Sequence, residues 1–131
     1  MRQKKLRWAI PFVMIVIIGS TASRAQDGVK RTDLQTHDLS IPGRQVVQQM
    51  VELQPGTVVG KHTHPGEEVS VVLEGELRLE VTGKPTVTLK AGEAFTVPSG
   101  VVHNATSAGR VPAKLLVTYI VEKGKPLASP V

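Results

Sequence analysis

From Arg44 onward the chain alternates short apolar-rich runs with glycine and proline breaks. Glu76–Val81 reads Glu-Leu-Arg-Leu-Glu-Val, which puts Leu77, Leu79 and Val81 on one face, and Thr86-Val87-Thr88-Leu89-Lys90 alternates in the same way. A two-residue period is the signature of a strand with one buried face. Further β-type runs lie at Gln45–Leu53, Val58–His62, Glu68–Leu73, Ala94–Val97 and Lys114–Val121. Between them stand Pro55-Gly56, Pro65-Gly66, Gly75, Gly83, Gly92, Pro98 with Gly100, and Ala108-Gly109. Many short strands at this spacing predict an all-β sandwich or barrel. No helical stripe of useful length appears after residue 26.

Two runs are apolar on both faces. In Lys114–Val121, Leu115, Val117, Tyr119 and Val121 share one face while Leu116 and Ile120 occupy the other, and Val69–Leu73 is likewise two-faced. Such strands are usually covered on both sides. The polar segment Gln26–Gly43, read as an extended arm with a turn at Ile41-Pro42-Gly43, offers mainly Val29, Leu34, Leu39 and Ile41 as cover. A second copy of the chain, meeting the first through a two-fold contact, is the expected cover, so a homodimer is predicted.

The N-terminus follows different rules. Arg2, Lys4, Lys5 and Arg7 precede an apolar run from Trp8 to Gly19, and Ser23-Arg24-Ala25 places small residues at both positions before a cut after Ala25. This is the layout of a secretory signal peptide. The 12-residue run is short for a membrane span, which needs about 20 residues; an uncleaved anchor is the alternative. The expected organisation is therefore a signal peptide (1–25), an extended arm (26–43), a barrel (44–122) and a C-terminal tail (123–131), with a periplasmic or secreted location and no stable membrane association after cleavage.

Removing the leader changes the charge. Of the 16 Lys and Arg, five lie in residues 1–25, and all 11 Asp and Glu lie after them, so the remainder carries 11 of each sign. No basic patch or aromatic stacking set argues for nucleic-acid binding. Absence of cysteine excludes disulfides and thiolate metal ligands.

The candidate chemistry sits in three of the four histidines. His62 and His64 are two apart, hence on one face of a strand. Pro65-Gly66 then turns the chain and brings Glu68 back beside them, and His103, after Pro98-Ser99-Gly100 at the mouth of a different hairpin, can complete a three-His, one-Glu set. Nitrogen and oxygen donors of this kind suit one divalent Mn, Fe, Ni, Cu or Zn ion. His37 stands alone in the polar arm and is read as solvated, Glu67 and Lys61 as surface residues. Asn104, Ser70 and Tyr119 are candidate pocket residues, with ordinary structural hydrogen bonding as the competing reading. Arg78 and Arg110 are read as surface charges.

These segments resemble the two motifs of the cupin superfamily. The first is a glycine, five residues, His-x-His, three residues, Glu, six residues and Gly, matched by Gly56, His62, His64, Glu68 and Gly75. The second is a glycine, five residues, Pro-x-Gly, two residues, His, three residues and Asn, matched by Gly92, Pro98, Gly100 and His103, with Ser107 in place of the Asn. Only Glu76 to Ala91 separates the motifs, as in the short, small single-domain (type 2) members. The resemblance implies a single cupin jelly-roll β-barrel with a metal ion inside, held by His62, His64, Glu68 and His103; a barrel that kept the fold and lost the metal is the alternative.

The motifs specify a cage and leave the substrate open. The expectation is a secreted metal-binding cupin that takes a small-molecule ligand or substrate, with a metal-dependent dioxygenase as the enzyme reading. Glu68 could then also act as a base. The other reading is a non-catalytic module that binds a small ligand or a metal. After the leader the aromatics are Phe95 and Tyr119 alone, which disfavours a large flat aromatic substrate.

Overall fold

A computed structural model describes residues 26–131; the predicted signal peptide lies outside the described residues. Ten strands form: β1 (Val29–Asp38), β2 (Arg44–Leu53), β3 (His62–Thr63), β4 (Gly66–Glu74), β5 (Glu76–Val81), β6 (Val87–Lys90), β7 (Ala94–Val97), β8 (His103–Ser107), β9 (Ala113–Glu122) and β10 (Ser129–Pro130). They make two five-stranded antiparallel sheets ordered β1-β2-β9-β4-β7 and β10-β3-β8-β5-β6. Their inner faces meet as an all-β jelly roll.

The alternation read from the sequence is the alternation of burial. Leu77, Leu79 and Val81 of β5 are buried, and Ala113, Leu115, Val117, Tyr119 and Val121 of β9 point into the core between half-buried Lys114, Leu116, Thr118 and Ile120. Each large apolar side chain withdrawn from water in this way contributes about 1.5–3 kcal/mol. Leu53, Leu77, Val72, Val97 and Val121 are the most completely enclosed.

The polar arm is itself a strand for most of its length. β1 pairs with β2 from Val29↔Leu53 to Asp38↔Gln45, with a bulge at Leu34. No apolar period marks it, because only Val29 is buried; backbone pairing holds the rest. Val29, Arg31 and Asp33 lie opposite Leu53, Val51 and Gln49, so they share the inner face of the sheet.

Two connections differ from the turns read in the sequence. β3 and β4 belong to different sheets, so the chain crosses from one layer to the other at His64-Pro65 instead of reversing in a hairpin. The second motif does the same, between β7 in one sheet and β8 in the other. Gly66 serves this corner through close approach. A Cβ built there would collide with the Ile120 carbonyl oxygen, where β4 runs against β9. Gly75 combines both demands, with φ at +75° and the Pro112 carbonyl oxygen 2.5 Å from any added Cβ.

Candidate metal centre

The two corners deliver four side chains to one point between the layers. His62 and His103 are direct cross-strand partners on β3 and β8, and their ring centroids lie 4.2 Å apart. His64 sits at the crossing itself. Glu68 comes from the opposite sheet, on β4 between Tyr119 of β9 and Val97 of β7. One potential ligand atom from each of His62, His64, Glu68 and His103 falls within a 4.8 Å span of the others. His64, Glu68 and His103 are buried and His62 is half-buried. All four residues singled out from the sequence are brought together; His37 stays exposed on β1.

The hydrogen bonds around the rings decide what they can hold. His62 Nδ1 meets the Gly60 carbonyl at 2.7 Å, His64 Nδ1 the Leu127 carbonyl at 2.6 Å, and His103 Nδ1 the Val101 carbonyl at 2.9 Å. A carbonyl oxygen only accepts, so each Nδ1 carries the hydrogen and donates. Each neutral ring is thereby left with its lone pair on Nε2. Glu68 Oε2, also an acceptor, lies 3.1 Å from His64 Nε2 and 3.0 Å from His103 Nε2. Acceptors at that separation repel unless a cation stands among them, either a proton or a metal ion. This donor set fits a divalent ion with borderline nitrogen and oxygen preferences.

Titration reflects the same geometry. Burial pushes the Glu68 carboxyl up, but hydrogen bonds and charge from His103 and His64 outweigh it and bring the group down to about 2. For His103, burial is outweighed by the bonds to Glu68 and the Val101 carbonyl, and its pKa rises above the ordinary 6.5. His62 goes the other way, lowered chiefly by burial and further by the neighbouring rings. Tyr119, whose ring lies 4.7 Å from that of His64, is raised by burial and by the Glu68 charge, with Arg31 pulling the other way.

Supporting contacts fix the cage. Ser70 Oγ donates to Glu68 Oε1 at 2.9 Å, locking the carboxylate through its other oxygen. Asn104 is structural: its Oδ1 accepts from the Gly60 N–H at 2.9 Å and its Nδ2 donates to Glu80 Oε2 at 3.0 Å, clamping the loop before His62 onto β5 and β8. Arg78 pairs with Glu80 at the surface, and Arg110 is exposed. Ser107, standing where the motif has Asn, is buried with its Oγ unpartnered.

Above the cage opens a cavity of about 530 Å³, lined by His62, His64, Tyr119, Arg31, Gln49 and the tail residues around Leu127. No site role for Arg31, Gln49 or the tail was expected from the sequence. Gln49 left a signal: it is the polar member of the stripe Val47, Gln49, Val51, Leu53. Arg31 left none, because nothing in the polar arm marks an inner face.

Comparison with known proteins places this geometry. The family model of the Cupin domain matches residues 49–119. The chain is a cupin. Among curated proteins it is similar to germin-like protein 1 of Brassica napus, at 38% identity over 74 residues that cover 53% of this chain and 36% of the relative. It is also similar to the HTH-type transcriptional regulator PuuR of Escherichia coli, at 38% identity over 71 residues, 52% of this chain and 38% of that one. The cupin chain thus spans little more than a third of the length of these relatives. Among solved structures, a recombinant oxalate oxidase in complex with glycolate superposes with a TM-score of 0.64 at 24% identity, over 82% of this chain and 57% of the other. A cupin superfamily protein from Desulfitobacterium hafniense superposes with a TM-score of 0.61 at 18% identity, over 93% and 100%. At these identities the superpositions speak for the fold.

Proposed function

We propose that this cupin holds one divalent metal ion through His62, His64, Glu68 and His103, and uses it to engage a small molecule entering from the cavity above. The observation that carries the reading is the convergence of three Nε2 lone pairs and a carboxylate, each ring having its other nitrogen committed to a carbonyl. The ion would supply Lewis acidity and open coordination positions. The chain itself orients the rings, sets the apolar side chains of Phe95, Val117 and Leu115 beside the cage, and keeps Glu68 ionised as a ligand. Small-molecule dioxygenation is the preferred reaction class, and the oxalate oxidase with the same fold supports oxygen-linked chemistry on such a scaffold. A non-catalytic ligand-binding module is the other reading.

Elemental analysis of protein purified without added metal, together with oxygen uptake on a panel of small enols and phenols, tests both layers. Bound metal with chelator-sensitive uptake is the expected result. Stoichiometric metal without uptake on any of them favours the binding module, and protein without metal that also fails to take it up overturns the reading.

Two further elements belong to it. The leader directs export to the periplasm or beyond, which the N-terminal sequence of the exported protein checks. The protein pairs through the outer face of the β1-β2-β9-β4-β7 sheet, where Val46, Met50, Leu116, Ile120, Val69 and Val71 form adjoining apolar rungs. Light scattering should give a dimer mass that Leu116→Lys or Ile120→Lys halves; a monomer in the unaltered protein would refute the pairing.

A further inference from the structure

We propose that Arg31 is the anion-binding residue of this site and that the ligand is a small carboxylate. The inference rests on the metal-bound reading above and adds to it the chemical class of the ligand.

Arg31 lies on β1, outside the segment that matches the cupin domain. Its register opposite Val51 puts it on the inner face, between Val29 and Asp33. It lines both the open cavity and the small apolar chamber of about 40 Å³ beneath, beside His62. Among the described residues no carboxylate lies within ion-pair distance of its guanidinium. Asp33, the acid nearest in register, instead accepts a hydrogen bond from Gln49 Nε2 at 2.8 Å. An exposed guanidinium without a carboxylate, lining the cavity that His62 and His64 also line, is a ready fork for a planar carboxylate.

A second feature of the same wall points to a polar ligand. Gln49 is buried at 8% exposure, lines the cavity, and has its Oε1 without a hydrogen-bond partner. On an otherwise apolar stripe, an unpaired amide oxygen closed off from solvent costs stability, and a small turn of the Gln49 side chain into the cavity would offer it to a hydroxyl beside the carboxylate. Lys61 at the rim adds a second positive charge to the entrance. A compact hydroxycarboxylate would present its carboxylate to Arg31 and donate its hydroxyl hydrogen to Gln49, with the hydroxyl lone pairs facing the histidines.

The test compares lactate with its uncharged isostere lactamide, using the full-length mature protein loaded with Mn²⁺, by isothermal titration with metal content measured on the same samples. Lactate should bind the unaltered protein at least tenfold more tightly than lactamide. Arg31→Gln should weaken lactate about ten- to a hundredfold, the loss expected for a charge-assisted hydrogen-bond pair, while leaving lactamide and metal content unchanged. Arg31→Lys, which keeps the charge and loses the fork, should fall between. Equal binding of lactate and lactamide by metal-loaded protein would overturn the proposal, as would an Arg31→Gln protein that binds lactate normally. Protein that refuses metal, yet still prefers lactate in an Arg31-dependent way, would overturn the metal reading and leave the anion site standing.

Discussion

His64 donates its Nδ1 hydrogen to the carbonyl oxygen of Leu127, across 2.6 Å and 63 residues of chain. The tail thus takes part in the site. Leu127 packs on the core, and β10 pairs with β3 through Ser129↔Thr63 and Pro130↔His62. Removing residues 126–131 should leave the barrel folded, because the tail contributes only a two-residue edge strand and one partly buried side chain, Leu127, at the margin of the core. It should weaken metal binding about ten- to a hundredfold, the usual consequence of losing the group that orients a ligand histidine. Competition with a chelator of known affinity reads the effect; an unchanged dissociation constant would show that His64 holds its orientation without the tail.

Metal should stabilise the fold, since the cage exists only when the two layers are assembled. At a free metal concentration about a hundred times the dissociation constant the gain is about 2.7 kcal/mol, or about 10 °C or more in melting temperature for a domain of this size. A scan with and without chelator measures it. His62→Ala and His103→Ala should each abolish the difference. Identical curves for metal-loaded and chelated unaltered protein would contradict the assignment of these ligands.

Acid should strip the ion, because protons compete for the same Nε2 atoms. Occupancy measured from about pH 7 down to about pH 4 should fall while the protein remains folded. In metal-free protein the histidines should protonate in a fixed order as the pH drops, His103 above 6.5 and His62 below it. The signs for stability follow. The His103 contribution is present below 6.5 and fades as pH rises through its raised value, whereas the lowered His62 value removes stability as pH falls below 6.5. The Glu68 contribution is complete above 4.5 and is lost as the pH falls toward about 2. Imidazole NMR titration gives the order directly, and a reversed order would mean that the ring environments are misassigned.

Gly66→Ala should destabilise the protein by about 1–3 kcal/mol or more, the range for forcing an extra methyl group into a packed interior. The obstacle is the backbone of Ile120, which has no rotamer to yield. Because Gly66 begins the strand that carries Glu68, metal affinity should fall with stability. Thermal unfolding and metal titration of the same variant check both, and a neutral effect would show that β4 can move away from β9 freely.

Much of this was legible in the chain. Leu77, Leu79 and Val81 disclosed their strand because one face of it is apolar, and the His-x-His and Glu spacing disclosed the cage because both motifs lie within a few residues of a corner. The corners themselves were read as hairpins, since Pro65-Gly66 signals a change of direction without saying which sheet the chain enters next. β1 was legible only as extended, because its hydrogen bonds involve backbone that side chains do not report. The roles of Arg31 and of the Leu127 carbonyl depend on register and on a return of the chain over more than sixty residues, and local pattern carries neither.

β1 has one more consequence. β2 has apolar side chains on both faces, Val46 and Met50 on one and Val47, Val51 and Leu53 on the other, and β1 occupies what would otherwise be its open edge. Displaced from there, β2 would offer a row of bare N–H and C=O groups flanked by aliphatic side chains, the kind of edge that recruits a strand from another molecule. Lys30, Arg31, Asp33 and Asp38 make β1 a poor template in its turn. A strand whose apolar residues are Val29 and Leu34 alone is therefore what keeps these molecules from growing into one another.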